Sequence, residues 1–177
     1  MTWIQTFSGI AFDYNSITLD SIQLIDIAHA LSNFCRFNGH CRSHYSVAQH
    51  SVICSYQSHE RLIQQCCLMH DAAEAYLGDM VRPLKNLPDL KPYWDRERDL
   101  ERLIARKFGL PFPMPEIVRE IDMRVLATEA QQLFGKPPMP WSVPDAYPNL
   151  VIKPQPPGLA EASFLERFHE LLNQEAA

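Results

Sequence analysis

Apolar positions near the N-terminus alternate loosely, with Trp3, Ile4, Phe7, Ile10 and Phe12 placed around Gly9. This spacing predicts a short hairpin or irregular arm over residues 1–19. From Asp20 the period lengthens to that of a helix. Asp20 can cap a helix with Ile22, Leu24, Ile25, Ile27, Ala28, Leu31 and Phe34 on its apolar side, ending near Cys35. Asn38-Gly39 marks a turn. Ser46 can cap a second helix to about Tyr56, in which Val47, His50, Ser51 and Cys54 form one stripe. A third helix starts near Ser58 and carries Ile63, Cys66, Cys67, His70 and Glu74 as far as Gly78. Asp79 to Pro83 reads as a loop, and Pro88 and Pro92 bracket a kinked connection. A fourth helix covers roughly Lys91 to Phe108 and stops at Gly109. Pro115 can open a fifth as its first residue, running to Phe134.

Eight of the fourteen prolines fall within 136–157, which predicts a long ordered flap. It marks no domain boundary, because the residues beyond it are too few for a second core. Residues 158–177 predict a closing amphipathic helix with Leu159, Phe164, Leu165, Phe168, Leu171 and Leu172. The whole pattern predicts one all-α domain over residues 1–177, with at most one small hairpin.

Composition narrows the class. The 177 residues are 46% hydrophobic and 21% charged, enough for a core without disulfide staples. Mean hydropathy is −0.20, and no apolar run approaches the ~18 residues of a membrane span, so no membrane partner is expected. The first residues lack a basic, apolar leader, which predicts no signal peptide. Sixteen basic against twenty-one acidic residues give −5. Polymeric nucleic acid is therefore not an expected partner, since its binding neutralises many phosphates. A small phosphorylated ligand needs only a few placed cations. All five cysteines lie between Cys35 and Cys67 and read as reduced, mostly buried thiols of a cytoplasmic protein. A homo-oligomer, dimer or larger, is compatible with this composition.

Six of the seven histidines fall between His29 and His70. A zinc knuckle from Cys35, His40, Cys41 and His44 is disfavoured, because no C-x₂₋₄-C pair exists. Three other features converge. His50 lies on the apolar stripe of the second helix, His70-Asp71 sits within the third, and Asp122 stands among Val118, Ile121, Val125 and Leu126 in the fifth. Imidazoles and carboxylates on apolar faces are costly unless satisfied. Together they make one divalent-cation site with positions open for water and substrate. Two nitrogen and two oxygen ligands suit Mn, Co, Ni, Fe, Zn or Mg. Glu74, three residues after Asp71 and four after His70, projects near the same face and is the candidate general acid/base.

The order His50, His70-Asp71, Asp122 resembles that of the HD-domain phosphohydrolases. His70-Asp71-Ala72-Ala73-Glu74, then Gly78-Asp79 and Pro83-Leu84-Lys85, resembles the corresponding segment of bacterial 5′-deoxyribonucleotidases. Asp26 to Ser32 and Tyr45 to His50 are similar to small HD hydrolases of phages and prophages. The resemblance implies an HD-type helical bundle and a metal-dependent hydrolase of deoxyribonucleoside 5′-monophosphates. It implies metal ligation by His50, His70, Asp71 and Asp122, with Glu74 and Asp71 in the catalytic step. Arg36 resembles the family's arginine ahead of the first metal histidine and is the candidate phosphate clamp, its planar fork matching phosphate oxygens. Phe37 stands where those enzymes have Trp and would pack on the sugar. Lys85 is a second point charge, Asp79 a candidate acceptor for a sugar hydroxyl, and His40 a candidate contact to the phosphate. Two other functions were compatible with the residues: a deoxyribonucleoside triphosphate triphosphohydrolase, and a non-catalytic HD-fold module that binds protein.

Overall fold

The computed structural model describes residues 1–173, which are mostly helical with one small antiparallel sheet. The expected hairpin pairs β1 (Trp3–Gln5) with β2 (Ala11–Asp13), Ile4 opposite Phe12. Phe12 anchors it, fully buried and stacked 4.2 Å from Tyr76. Ser8, in the turn, donates its backbone N–H and hydroxyl to the buried carboxylate of Asp26 at 2.6 and 2.8 Å. This ties the hairpin to α1 (Leu24–Asn33). Helix α1 begins later than Asp20. Thr18 and Ser21 form a reciprocal capping box around a separate 3₁₀ turn, Leu19–Ser21, which contains Asp20.

Ser46 caps α2 (Val47–Ser55) by accepting the Gln49 N–H, a contact worth about 1 kcal/mol. The predicted stripe is buried, and so are Ala48, Gln49 and Ser55. Helix α2 is therefore central, in contact with α1, with α3 (Arg61–Met69), and with α7 (Glu116–Leu133) and α8 (Pro157–Asn173). Helix α3 starts after Glu60, whose N–H bonds the Ser58 hydroxyl in the preceding loop. It also ends sooner than its apolar period suggests. From Met69 the bonding tightens to i→i+3, with Ala72 N–H to Met69 C=O and Glu74 N–H to Asp71 C=O. Helix α4 (Glu74–Leu77) then closes at Gly78, whose φ of +89° suits glycine. His70-Asp71 thus lies in a 3₁₀-like break and not mid-helix, the kind of irregularity that marks functional positions.

Helix α5 (Arg82–Lys85) occupies part of the predicted loop, with Pro83 in its first turn. Helix α6 (Lys91–Phe108) ends on Gly109 in the left-handed conformation, as expected. Pro115 stands one residue ahead of α7. The proline-rich stretch 136–157 contains no helix or strand before α8, because its prolines cannot donate to a ladder. Two glutamines grip it instead. Gln132 donates to Leu150 C=O and accepts from Ile152 N–H, both at 2.8 Å. Gln49 donates to Lys153 C=O at 2.7 Å and accepts from Gln155 N–H at 2.9 Å.

On α8 the buried seam is Ala160, Phe164, Arg167 and Leu171, whereas Leu159 and Leu172 face outward. The remainder of the predicted closing helix, 174–177, lies outside the described residues. Arg167 donates to the Ser55 carbonyl and hydroxyl, satisfying the C-terminal end of α2. The main core joins Phe12, Ile27, Leu31, Leu68, Ile104 and Phe164. No described helix is long and apolar enough to cross a membrane.

Candidate functional site

The break after α3 turns His70 and Asp71 toward the buried end of His50 on α2, and α7 brings Asp122 to the same point. His50 Nε2 lies 3.4 Å from His70 Nε2, 3.3 Å from Asp122 Oδ1 and 3.8 Å from Asp71 Oδ2. His70 Nε2 lies 3.3 Å from Asp71 Oδ1 and 3.9 Å from Asp122 Oδ1. The far nitrogen of each ring is already committed. His70 Nδ1 is 2.8 Å from the Cys67 carbonyl, which can only accept, so that nitrogen carries the proton. His50 Nδ1 is 2.6 Å from Glu129 Oε1. When both rings are neutral, with both Nδ1–H groups donating outward, two Nε2 lone pairs and two carboxylates face one another across one small space. Four acceptors in such proximity repel unless a cation lies among them. The donor set therefore fits a divalent ion held by His50, His70, Asp71 and Asp122.

Glu129 is fully buried. It accepts from the Tyr45 hydroxyl at 2.7 Å as well as from His50. Arg36 Nε sits 3.2 Å from Glu129 Oε2, in a geometry too oblique for a hydrogen bond, and both atoms lack another partner. The same guanidinium reaches Asp71 Oδ2 at 3.4 Å. Arg82 reaches Asp122 Oδ2 at 3.2 Å. Burial pushes the Glu129 carboxyl up, but Arg36 and His50 outweigh it and hold the group at about 2. Burial also opposes ionisation of Asp122, yet His50, His70 and Arg36 hold its carboxyl well below the usual range. For His50, burial and Arg36 push the ring down, while Cys54, Glu129 and Asp122 prevail and raise it. Three carboxylates against two guanidiniums leave the centre negative when both rings are neutral. A dication reverses that sign and prepares the site for an anionic ligand.

Beside this centre opens a cleft of about 410 Å³, within the size range of small-molecule sites. His70, Asp71, Asp122 and Arg82 line it, as do Trp94 and Phe112. Its α6 side carries Glu97 and Glu101, facing Glu74 and Lys85. Lys85 lies 2.6 Å from Glu97 and 3.4 Å from Glu74. Burial, with the charges of Asp71 and Asp79, raises the Glu74 carboxyl well above its ordinary value, and its Oε2 has no partner. Burial and Glu97 push Glu101 up to about 7. Burial raises Asp79, against the pull of Arg36.

The candidate residues are thus distributed unevenly. His50, His70, Asp71 and Asp122 converge, and Glu74, Lys85 and Asp79 stand beside them. Arg36 belongs to the centre but is wedged between Asp71 and Glu129, so it braces the carboxylates and is not a free clamp. Arg82, which lines the cleft with its side chain half exposed while pairing with Asp122, is the more accessible of these two cations. Phe37 packs edge-on against Phe134 and Trp141 at 4.9 and 6.1 Å and is not among the cleft residues. It holds a left-handed φ of 58°, a strain of about 1–3 kcal/mol for such a residue, offset by that aromatic packing. His40 is exposed at the end of the same turn, Phe37–Gly39.

Glu129, Tyr45, Glu97 and Cys54 complete the picture without having been singled out as site residues. Glu129 follows Asp122 by seven residues, two turns along one helix face, a spacing that any helix-surface glutamate could share. Cys54 stands one turn after His50, its Sγ 3.5 Å from Nε2. Burial pushes its thiol up to about 11.

The chain is 42% identical over 176 residues to the uncharacterized protein YfdR of Escherichia coli (strain K12), covering 97% of this chain and 96% of that one. It is 30% identical over 198 residues to the uncharacterized protein RCAP_rcc00048 of Rhodobacter capsulatus, covering 96% and 95%. No protein-family model matches the chain.

Proposed function

The chain belongs to one family with YfdR and RCAP_rcc00048, and from its own geometry we propose that it is a divalent-metal-dependent phosphohydrolase of the HD type. Its proposed substrates are deoxyribonucleoside 5′-monophosphates, which it cleaves to nucleoside and phosphate. One observation carries the reading: the Nε2 atoms of His50 and His70 face each other at 3.4 Å between Asp71 and Asp122, with both Nδ1 atoms committed elsewhere. When bound there, a divalent cation supplies Lewis acidity, polarising a phosphoryl oxygen and acidifying water.

The side chains supply the rest. Arg82 and Lys85 present positive charge on the cleft side and stabilise the negative charge that builds on the phosphoryl oxygens. Glu74, whose carboxyl burial raises well above its ordinary value, is the acid placed to deliver a proton to the leaving O5′ alkoxide. Arg36 fixes Asp71, and Glu129 fixes the ring of His50, so neither rotates as charge moves through the site. Asp79 lies within electrostatic reach of Asp71 and Lys85 and is the acceptor proposed for a sugar hydroxyl. Trp94 and Phe112 give the cleft an aromatic lining suited to a nucleobase.

The test is a screen of ribo- and deoxyribonucleoside mono-, di- and triphosphates with Mn(II), Co(II), Ni(II), Fe(II), Zn(II) and Mg(II). Orthophosphate release from deoxyribonucleoside monophosphates is the expected result. Tripolyphosphate release from triphosphates would replace it with the triphosphohydrolase reading. Absence of turnover with every metal, in protein that binds metal, would favour the non-catalytic module.

A further inference from the structure

Three of the cysteines, Cys54, Cys66 and Cys67, are buried, whereas Cys35 and Cys41 are partly exposed. Those two meet, their Sγ atoms 3.6 Å apart. The backbone fixes both. Cys35 follows α1 and faces Ser46 across an isolated antiparallel bridge, flanked by Arg36 N–H to Tyr45 C=O at 2.9 Å and Val47 N–H to Phe34 C=O at 3.1 Å. On the far arm, Arg42 N–H donates to Leu133 C=O at 3.1 Å, which seats the chain beside Cys41 against the end of α7. A disulfide bond is about 2.0 Å long, so the sulfurs must approach by roughly 1.6 Å, within reach of rotation about the two Cα–Cβ bonds. The turn between them is strained. Phe37, Asn38 and Gly39 hold φ of 58°, 51° and 75° in succession, a region that only glycine enters freely. Arg36, which reaches Asp71 and Glu129, stands between Cys35 and that turn.

We propose that Cys35 and Cys41 are a redox-active pair that hydrogen peroxide converts to a disulfide, and that this bond staples the turn carrying Arg36. One thiol loses its proton and attacks the peroxide, breaking the O–O bond to give a sulfenic acid and water. The second sulfur then attacks the sulfenic sulfur. Its S–H bond and the S–O bond break, the S–S bond forms, and a second water leaves. Each sulfur gives up one electron in the net reaction, and the peroxide oxygens take both. Burial and the contact with Cys35 push the Cys41 thiol up, which suits it to the second attack and not the first. The bond closes a small ring around the left-handed turn and opposes its relaxation, so Arg36 keeps its place against both carboxylates. Cys54, Cys66 and Cys67 are shielded from the oxidant by burial.

The experiment treats the reduced, purified full chain with stoichiometric hydrogen peroxide, unfolds it, alkylates the remaining thiols and maps the linkages by peptide mass spectrometry. The expected result is a Cys35–Cys41 link within one chain, with Cys54, Cys66 and Cys67 alkylated. Dithiothreitol should return all five cysteines to free thiols. The oxidised chain should melt a few degrees above the reduced one. Cys35→Ser and Cys41→Ser should form no link and show no such rise. Sulfinic or sulfonic acid at either position without a link would overturn the pairing, as would an unreacted pair, a link between chains or a link to another cysteine. A Cys35–Cys41 link that leaves the melting temperature unchanged or lowers it would overturn the staple. The wild-type map decides the pairing even where a serine variant fails to fold.

Discussion

Carboxylates on two sides of the cleft meet opposite fates. On α7, Asp122 and Glu129 lie against two guanidiniums and two imidazoles and stay ionised despite burial. On the α4 and α6 side, Lys85 is ion-paired with both Glu74 and Glu97, and burial outweighs the cations near Glu74 and Glu101 and raises both. The chemical group is the same; the number of positive neighbours differs. One side suits a cation and the other favours the protonated carboxyl. The proposed metal-assisted hydrolysis of a phosphate ester would use both.

The largest effect should come from the ionised side. Asp71→Ala and Asp122→Asn should each abolish bound metal and turnover together, read by elemental analysis and orthophosphate release. If both variants keep stoichiometric metal, the assignment of that side is wrong. Apo Asp122→Asn should also lose stability, since it removes a carboxylate that His50, His70 and Arg36 hold ionised and takes the ion-pair partner from Arg82.

On the protonated side, Glu74→Gln should leave metal content intact and lower kcat by about 10²–10⁴-fold, the usual share of acid–base catalysis. A drop below threefold with KM unchanged would make Glu74 a spectator of the cleft. A smaller loss is expected one residue behind the metal ligands. Glu129→Gln keeps the shape but not the charge that holds the His50 Nδ1–H. Metal affinity, measured by chelator competition, should fall about 10–100-fold. Unchanged affinity would show that packing alone orients His50.

The smallest effect is on stability. Glu101 is raised from 4.5 to about 7 by burial and Glu97, with Asp71 adding to the rise and Lys85 and Arg98 opposing it. The folded chain therefore binds this proton more tightly than the unfolded chain. Its contribution is fully present below about pH 4.5 and is lost as pH rises through about 7. Glu101→Gln should flatten the decline of urea-unfolding stability across that window. An unaltered slope would place Glu101 outside the protonated group.

The helices and the convergence of His50, His70, Asp71 and Asp122 are legible because burial leaves a periodic trace: polar residues on apolar stripes stand out. What surrounds the ligands left no such trace. Glu129 follows Ala127 and Thr128 on α7 and, in sequence, resembles any helix-surface glutamate; only the fold shows it under His50 and Tyr45. Arg36 was legible as a cation of the site but not as one already engaged by two carboxylates, because its partners are far along the chain. The break at His70–Ala73 was hidden by continuous apolar spacing through it, since i→i+3 and i→i+4 bonding suit the same residues. Phe37 was read against a substrate, whereas Phe134 and the proline-rich stretch supply its neighbours.

Arg167 and Ser55, which close the end of α2, are 112 residues apart. The helix that presents His50 is therefore completed by chain made long after it. At a synthesis rate of about 5–20 residues per second, that interval is on the order of ten seconds. During it, the faces of α1 and α2 that α8 covers have no native partner, and the ligands from α3 and α7 arrive before the lid over their scaffold does. Such long-range closure slows folding. It makes completion of the proposed metal centre a late event in the life of each molecule.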